Sequence, residues 1–179
     1  MRAIGVAALL ALAGCASAPP PPAPLNLKLA PAALGASISL QQHIKVEREG
    51  RTDELDAALE VDPEQLSLVG LAMGQRVMTL HYDGNTLTSW RHLLMPSQVR
   101  GEDVLQDIQL TYWPVTAIRQ ALPPGWRIED DGMHRTLWSD NMPVTVIDYS
   151  SQPRWGGTVV LSSLRYHYRL TIQSVPASQ

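Results

Sequence analysis

Residues 38–61 have the sequence ISLQQHIKVEREGRTDELDAALEV, and this stretch decides the fold class. Apolar and polar residues alternate on both sides of a charged segment, 47–51, that contains Gly50. Alternation with a period of two is typical of a β-strand with one buried face. Two such runs around a glycine-containing turn predict a hairpin. The folded part of the chain is therefore expected to start with two long antiparallel strands.

The same pattern predicts further strands along the chain. Pro63 ends the second strand, a third starts at Leu66 and Leu68, and the Asp83-Gly84 pair predicts a tight turn between strands at 76–82 and 85–90. Five more strands are expected at 126–129, 133–138, 142–149, 157–163 and 165–173. The last of these alternates most clearly and indicates an antiparallel sheet with one wetted face.

A helical insert interrupts the strands at residues 101–122. Leu105, Ile108 and Tyr112 recur at helical spacing, and Pro114 suits the first position of a second short helix that contains Ile118. An apolar helix stripe must cover another apolar surface. We therefore expect a mainly β (α+β) fold, namely a single antiparallel, strongly curved, half-open β-barrel with a short helical lid.

The amino terminus indicates export. Met1-Arg2 is a short positive start, residues 3–13 are apolar, and small residues lead to Cys15, which is the only cysteine. This arrangement is typical of a secretory signal peptide and is too short to span a bilayer. An ordinary signal peptide, followed by a cysteine that occurs there by chance, is the alternative to the lipoprotein motif described next.

Leu12-Ala13-Gly14-Cys15 resembles the lipobox of bacterial lipoproteins. The resemblance implies cleavage before Cys15, lipidation of its sulfur, and acylation of the new amino group with a fatty acid such as palmitate. In the bacterial sorting scheme, Asp after the cysteine retains a lipoprotein in the inner membrane. Ala16 at that position implies the outer membrane, with the protein facing the periplasm.

The domain boundaries follow from these motifs. Residues 1–14 are the expected signal peptide, and residues 15–34 are the lipidated cysteine with a Pro-rich tether. Within the tether, ASAPPPPAP at 16–24 favours an extended polyproline spacer. The β-barrel domain is expected at 35–175, and a short tail at 176–179.

Chemistry-bearing motifs are largely absent from the sequence. No basic block indicates a nucleic-acid partner, the five histidines share no metal-ligand spacing, and no G-x-S-x-G motif is present. The carboxylates at 129–131 are interpreted as a polar hairpin tip. We expect a protein that is not an enzyme, with no metal or cofactor. A lipid hydrolase or acyltransferase is the third-ranked hypothesis.

Apolar features are more informative. Gly70 and Gly74 flank Leu71 and Met73, where turn chemistry favours Asn, Asp or Ser. An exposed Leu or Met there would contact a membrane or a lipidic ligand favourably; a loop that folds back over the barrel end is the alternative. The five tryptophans suit either a core or the wall of an apolar cavity.

Together, the lipobox, the apolar loop, the Asp-Gly turn, the sequence DIQLTYWP at 107–114 and the final alternating strand resemble a family of small outer-membrane lipoproteins. That family is similar to LolA and LolB, the periplasmic carrier and outer-membrane receptor for lipoproteins, and its members often occur in aryl-polyene biosynthesis clusters. The resemblance covers residues 35–175. It implies an acyl-chain cavity under a helical lid and a membrane-insertion loop at Leu71, with Met73 as second candidate. The implied cavity and lid residues are Trp90, Leu94, Leu105, Ile108, Tyr112, Trp113 and Ile118.

The expected function is binding and transfer of a hydrophobic acyl-chain cargo, such as a lipid, a lipoprotein or a polyene lipid. The expected partners are membrane lipid or lipidated cargo and a periplasmic LolA-like carrier, with the protein itself a monomer. A non-catalytic lipoprotein that scaffolds a partner protein is the alternative.

Overall fold

The protein is described by a computed structural model over residues 25–177. The expected signal peptide, Cys15 and the proline run lie outside these residues. The described chain forms ten strands, two α-helices and one short 3-10 helix at Pro31–Leu34. The strands are β1 (Ile38–Arg48), β2 (Arg51–Val61), β3 (Leu66–Ala72), β4 (Gln75–Tyr82), β5 (Leu87–Arg91), β6 (Trp126–Asp130), β7 (His134–Ser139), β8 (Met142–Tyr149), β9 (Gly157–Ser163) and β10 (Tyr168–Pro176), and the helices are α1 (Gly101–Tyr112) and α2 (Val115–Ala121).

All ten strands belong to one sheet in the order β5-β4-β3-β2-β1-β10-β9-β8-β7-β6, and every neighbouring pair is antiparallel. The sheet is not closed, because β5 and β6 have only one strand neighbour each. The prediction of a mainly β, antiparallel single sheet with two short helices is confirmed.

The predicted hairpin lies at the centre of this sheet. β1 and β2 pair without interruption from Ile38 opposite Val61 to Arg48 opposite Arg51. β1 also pairs with β10 over nearly its whole length, and it thereby joins the two halves of the chain. The sheet is therefore assembled around the stretch with the clearest period-two pattern.

The start of the final strand differs from the prediction. Ser163 of β9 lies opposite Tyr168 of β10, so residues 164–167 form the turn between these strands. The alternation at 165–173 extends into this turn, where it does not correspond to strand pairing. Tyr166 is consequently exposed.

The two helices cover one face of the sheet, here called the inner face. Leu105 and Leu110 of α1, Trp113 between the helices and Ile118 of α2 are buried in one core with the inward side chains of the strands. α1 contacts edge strand β5, and α2 contacts edge strand β6. Strands spaced about 4.8 Å apart would put these edges about 40 Å apart in a flat sheet. Two consecutive short helices reach both edges because the sheet curves.

Residues 25–34 correct the predicted domain boundary. The sequence assigned them to the tether, but Leu25, Leu27, Leu29 and Leu34 are buried in the core. The segment begins near the first turn of α1, and its end reaches the β4–β5 turn, where Pro31 contacts Gly84. The described fold therefore begins at least ten residues before the predicted boundary, since this leucine-rich segment adds a layer over the inner face.

The close contact between α1 and β5 depends on Gly101. A Cβ atom added there would lie 2.4 Å from Ser89 Oγ and 2.6 Å from Ser89 Cβ. We expect Gly101→Ala to lower the free energy of unfolding by about 1–3 kcal/mol, because overpacking outweighs the better helix propensity of Ala. Urea denaturation measures the change. Adding Ser89→Gly should recover part of the loss, and an unaltered midpoint for Gly101→Ala alone would contradict the proposed contact.

Candidate functional site

The predicted lid residues occupy two different regions. Leu105, Tyr112, Trp113 and Ile118 are buried between the helices and the sheet. Ile108 is partly buried and packs against the same core. These five residues form one interface, as residues of one lid would.

Trp90 and Leu94 are not part of this interface, which corrects their grouping with the lid residues. Trp90 lies opposite Thr79 on the edge strand pair, and it is exposed. Leu94 lies in the loop after β5 and is also exposed. Sequence proximity to the helices placed them in one group, but the strand register turns Trp90 to the outer face.

A small recess lined by residues that include Leu25, Asp107, Trp126 and Tyr168 has a volume of about 20 Å³. Such a volume accommodates about one water molecule. This recess is therefore too small for an acyl chain.

Polar side chains of the sheet hold the carboxyl end of α1. Arg135 of β7 is buried, and its Nη1 donates a hydrogen bond to the Leu110 carbonyl. The Tyr149 hydroxyl donates to the Thr111 carbonyl at 2.8 Å. The last carbonyls of a helix have no partner within the helix and carry partial negative charge, so a guanidinium is a favourable partner.

Arg135 is itself held by a buried carboxylate. Its Nε donates to Asp130 Oδ2 at 2.6 Å, and Arg154 Nη2 donates to the other oxygen of the same carboxylate. Arg135 Nη2 is buried without a hydrogen-bond partner among the described residues. The position of α1 is thus coupled to an ion pair inside the fold.

This network was missed at the sequence level. The carboxylates at 129–131 were interpreted as a hairpin tip, which holds for Asp131, whose Oδ1 accepts from the backbone of Met133 and His134. Asp130 also belongs to the tip, because its Oδ1 accepts from Gly132 N at 2.9 Å, but its carboxylate is buried and pairs with Arg135 and Arg154. The available signal was Arg135, which stands two residues before Leu137 and therefore shares its buried face.

Two further contacts connect the helices to the rest of the core. Gln109 of α1 exchanges hydrogen bonds with both backbone groups of Leu29, at 3.0 and 2.8 Å. Gln42 of β1 donates to the Tyr112 hydroxyl at 2.8 Å and to Ser174 Oγ at 2.9 Å. The interface between the helices and the sheet is therefore apolar with several specific polar contacts.

Asp107 is the most perturbed carboxyl group of α1. Desolvation between α1 and β10 raises its pKa to about 7, and the nearby Asp103 adds to the rise. The Tyr168 hydroxyl donates to Asp107 Oδ2 at 2.5 Å, which opposes the rise. The pKa of Tyr168 is raised mainly by burial and also by this carboxylate.

The predicted loop at 70–74 is a tight hairpin turn. Leu71 lies within β3 opposite Arg76, and it is exposed, although less than Met73. Met73 and Gly74 are the two turn residues, with φ of 50° and 73°, and the Met73 side chain is 95% exposed. Two positive φ values fit a type I′ turn, which favours Asn, Asp or Gly. Met73, the second candidate, therefore occupies the apex in place of Leu71.

The outer face carries an open groove of about 740 Å³ across the middle strands, lined by residues that include Gln41, His43, Leu71 and Val175. His43 Nδ1 lies 3.0 Å from Asp56 Oδ1, and its Nε2 lies 3.8 Å from Glu54 Oε2.

No three His, Cys, Asp or Glu side chains of residues 25–177 are grouped to hold a metal ion. None of the helices described there is long and apolar enough to cross a membrane.

The raised pKa of Asp107 predicts a pH-dependent stability. The folded state keeps this proton up to about pH 7, whereas the unfolded chain releases it near the ordinary value of 3.8. The free energy of unfolding should therefore fall as pH rises between these values, by at most about 1.4 kcal/mol per unit. Asp107→Asn should remove this slope, measured by urea denaturation at pH 5 and pH 8. Glu102→Gln, on the exposed side of α1, is the control; an Asp107→Asn slope equal to wild type would contradict the assignment.

Comparisons with known proteins place the chain in a family. A crystal structure of a DUF1329 family protein from Desulfovibrio piger is among the solved structures that match, with a TM-score of 0.36, 9% identity, and coverage of 81% of this chain and 87% of that chain. None of the curated proteins matches the sequence. A family model described as protein of unknown function, DUF3261, matches residues 39–176, which span the sheet from β1 to β10. The chain belongs to the DUF3261 family.

Proposed function

We propose that this protein is a lipoprotein, anchored through Cys15 in the outer membrane and facing the periplasm, that binds an acyl-chain cargo and transfers it to the membrane. In this proposal, the sheet acts as a curved half-open barrel and the helices α1 and α2 act as its lid. The arrangement is similar to that of LolA and LolB, and a LolA-like periplasmic carrier is the proposed donor of the cargo.

The helix-covered face supplies the proposed cargo site. Its side chains are mainly apolar, and each methylene that moves from water into such surroundings contributes about 0.8 kcal/mol. Ten methylenes would therefore contribute about 8 kcal/mol. The polar contacts of α1 oppose opening, but a hydrogen bond contributes only about 1 kcal/mol net. An acyl chain could thus offset the loss of several such contacts.

Met73 is the observation on which the membrane-transfer proposal rests. A residue other than glycine in the left-handed region costs about 1–2 kcal/mol, and the Met73 side chain makes up for little of this because it is 95% exposed. The hairpin turn requires the left-handed φ, as the β1–β2 turn does at Glu49, but it does not require an apolar side chain at this position. Insertion into a bilayer would give this side chain an apolar environment.

Cargo binding is tested on residues 16–179, which contain every described strand and helix but neither Cys15 nor the apolar run at 3–13. We expect this polypeptide to retain lipid during purification, detected by native mass spectrometry, and to take up a fluorescent fatty acid. Uptake should increase with acyl-chain length, because affinity follows the number of buried methylenes. Absence of both retained lipid and uptake would refute cargo binding.

Met73→Asn separates membrane transfer from folding. Asn tolerates the left-handed conformation, so we expect the free energy of unfolding to rise by about 1 kcal/mol. Transfer of the bound fluorescent fatty acid to vesicles should nevertheless become slower, since the apolar apex is lost. Stopped-flow fluorescence measures the rate, and Leu71→Glu on the adjacent strand is expected to impair transfer as well. Unchanged transfer in both variants would remove the role assigned to this turn.

A lipoprotein that scaffolds a partner protein is the second candidate. It is favoured by the recess between α1 and the sheet, which at about 20 Å³ is too small for an acyl chain. The same mass spectrometry and uptake measurements distinguish the two candidates, because a scaffold needs no lipid in its core.

A further inference from the structure

The two ends of the sheet differ in chemistry. At one end, the turns 62–65, 83–86 and 131–133 begin with Asp62, Asp83 and Asp131, and each carboxylate accepts hydrogen bonds from the following backbone. The opposite end, here called the tip end, contains the charged β1–β2 turn at Glu49 and Gly50, the β3–β4 turn and the loop from β5 to α1. Most exposed large apolar side chains of the described chain lie there, namely Leu71, Met73, Trp90, Leu93, Leu94, Met142, Leu164 and Tyr166.

The loop after β5 presents two of these side chains in a defined turn. Met95 N donates to the His92 carbonyl at 3.1 Å, which puts Leu93 and Leu94 at the two central positions. Their exposures are 95% and 77%. The Arg91 guanidinium donates to the Met95 carbonyl at 2.8 Å, and Leu94 N donates to His92 Nδ1 at 3.1 Å. These contacts hold two leucines at positions where polar residues are usual.

Contacts connect this loop with the β3–β4 turn. His92 N donates to the Val77 carbonyl at 2.8 Å. The Arg76 guanidinium lies 5.5 Å from the centre of the Trp90 ring, and Arg76 is paired with Leu71. The Trp90 and His92 rings meet edge to face at 6.0 Å. Leu71, Met73, Trp90, Leu93 and Leu94 therefore belong to one region, the apolar corner.

Two arginines lie in this region. Among residues 65–101 the only carboxylate is Asp83, which lies in a turn at the opposite end of the sheet, whereas Arg76 and Arg91 lie beside Trp90. Asp56 of β2 lies opposite Leu71. Apolar side chains, a tryptophan and arginines are the combination that binds at the interface of an anionic bilayer.

The path of the chain gives a second argument for a bilayer. Leu25 and Asn26, where the described chain begins, line the same recess as Glu102 and Asp103 in the first turn of α1. The sequence before Leu25 therefore joins the fold at the tip end. Nine residues separate Cys15 from Leu25, and the ten Cα–Cα steps between them span at most about 35 Å. The proposed lipid on Cys15 would thus be attached within reach of the apolar corner.

We propose that the apolar corner docks on an anionic bilayer surface, with Leu93 and Leu94 inserting beside Met73 and the arginines facing the lipid headgroups. The docked orientation places the tip end toward the membrane and the Asp-containing turns away from it. The inference deepens the proposed function and relies on it for the attachment through Cys15.

Vesicle flotation of residues 16–179 tests the docking without the lipid anchor. We expect binding to vesicles of phosphatidylethanolamine with phosphatidylglycerol, and much weaker binding to phosphatidylcholine alone. Leu93→Glu combined with Leu94→Glu should lower the partition by at least about tenfold, given the area of two leucines. The matched control is Met133→Glu, an exposed apolar position at the opposite end of the sheet, which should bind as wild type does.

The outcomes separate this inference from the cargo proposal. Absence of wild-type binding to the anionic vesicles, or an equal loss in Met133→Glu, would overturn the docking surface. So would a dimer, detected by analytical ultracentrifugation, that Leu93→Glu dissociates, since the corner would then be covered by a second copy. Vesicle binding that depends on Leu93 without any fatty-acid uptake would support docking and refute cargo transfer.

Discussion

The two short helices contact both open edges of the sheet, and the rest of the structure depends on this packing. Ten antiparallel strands leave one apolar face and two unpaired edges, both of which are unfavourable in water. α1 meets β5 and α2 meets β6, while Leu105, Trp113 and Ile118 fill the space above the inward side chains. Two consecutive helices of this length satisfy both requirements only because the sheet curves. The segment at 25–34 completes the layer over the inner face, and this layer with its two helices is here called the cover.

The cover is held by contacts of two kinds. Apolar burial provides most of the attraction, whereas the position of α1 is specified by polar groups at defined points. Arg135 and Tyr149 hold its last carbonyls, and Gln109 connects it to Leu29. Asp107 adds a carboxyl group whose raised pKa makes the same interface sensitive to pH. In the proposed function the helix pair acts as a lid, because an acyl chain would replace part of the apolar burial lost on opening and each polar contact is individually weak in net terms.

The asymmetry between the ends of the sheet relates the fold to the proposed membrane role. Asp-containing turns satisfy their own backbone groups and present charge to water at one end. At the tip end, Met73 and Leu93 stand exposed at turn positions where such polar residues would be more favourable for folding. Both proposals assign the exposed apolar side chains of the tip end to contact with lipid. Transfer of an acyl chain and docking on a bilayer both require such contact.

The sequence by itself determined the strands, because a period of two follows from the geometry of an extended chain. The hairpin at 38–61, the Asp83-Gly84 turn and both helices were therefore predictable from local pattern. Tertiary structure decided the burial and orientation of side chains whose contacts are with residues distant in the sequence. Leu25, Leu27 and Leu29 become part of the core because α1 offers them a surface, and Asp130 is buried because Arg135 lies beside it. Strand register turned Trp90 outward, and turn geometry brought Met73 rather than Leu71 to the apex. These outcomes require pairing across the sheet, which no local pattern in the chain contains.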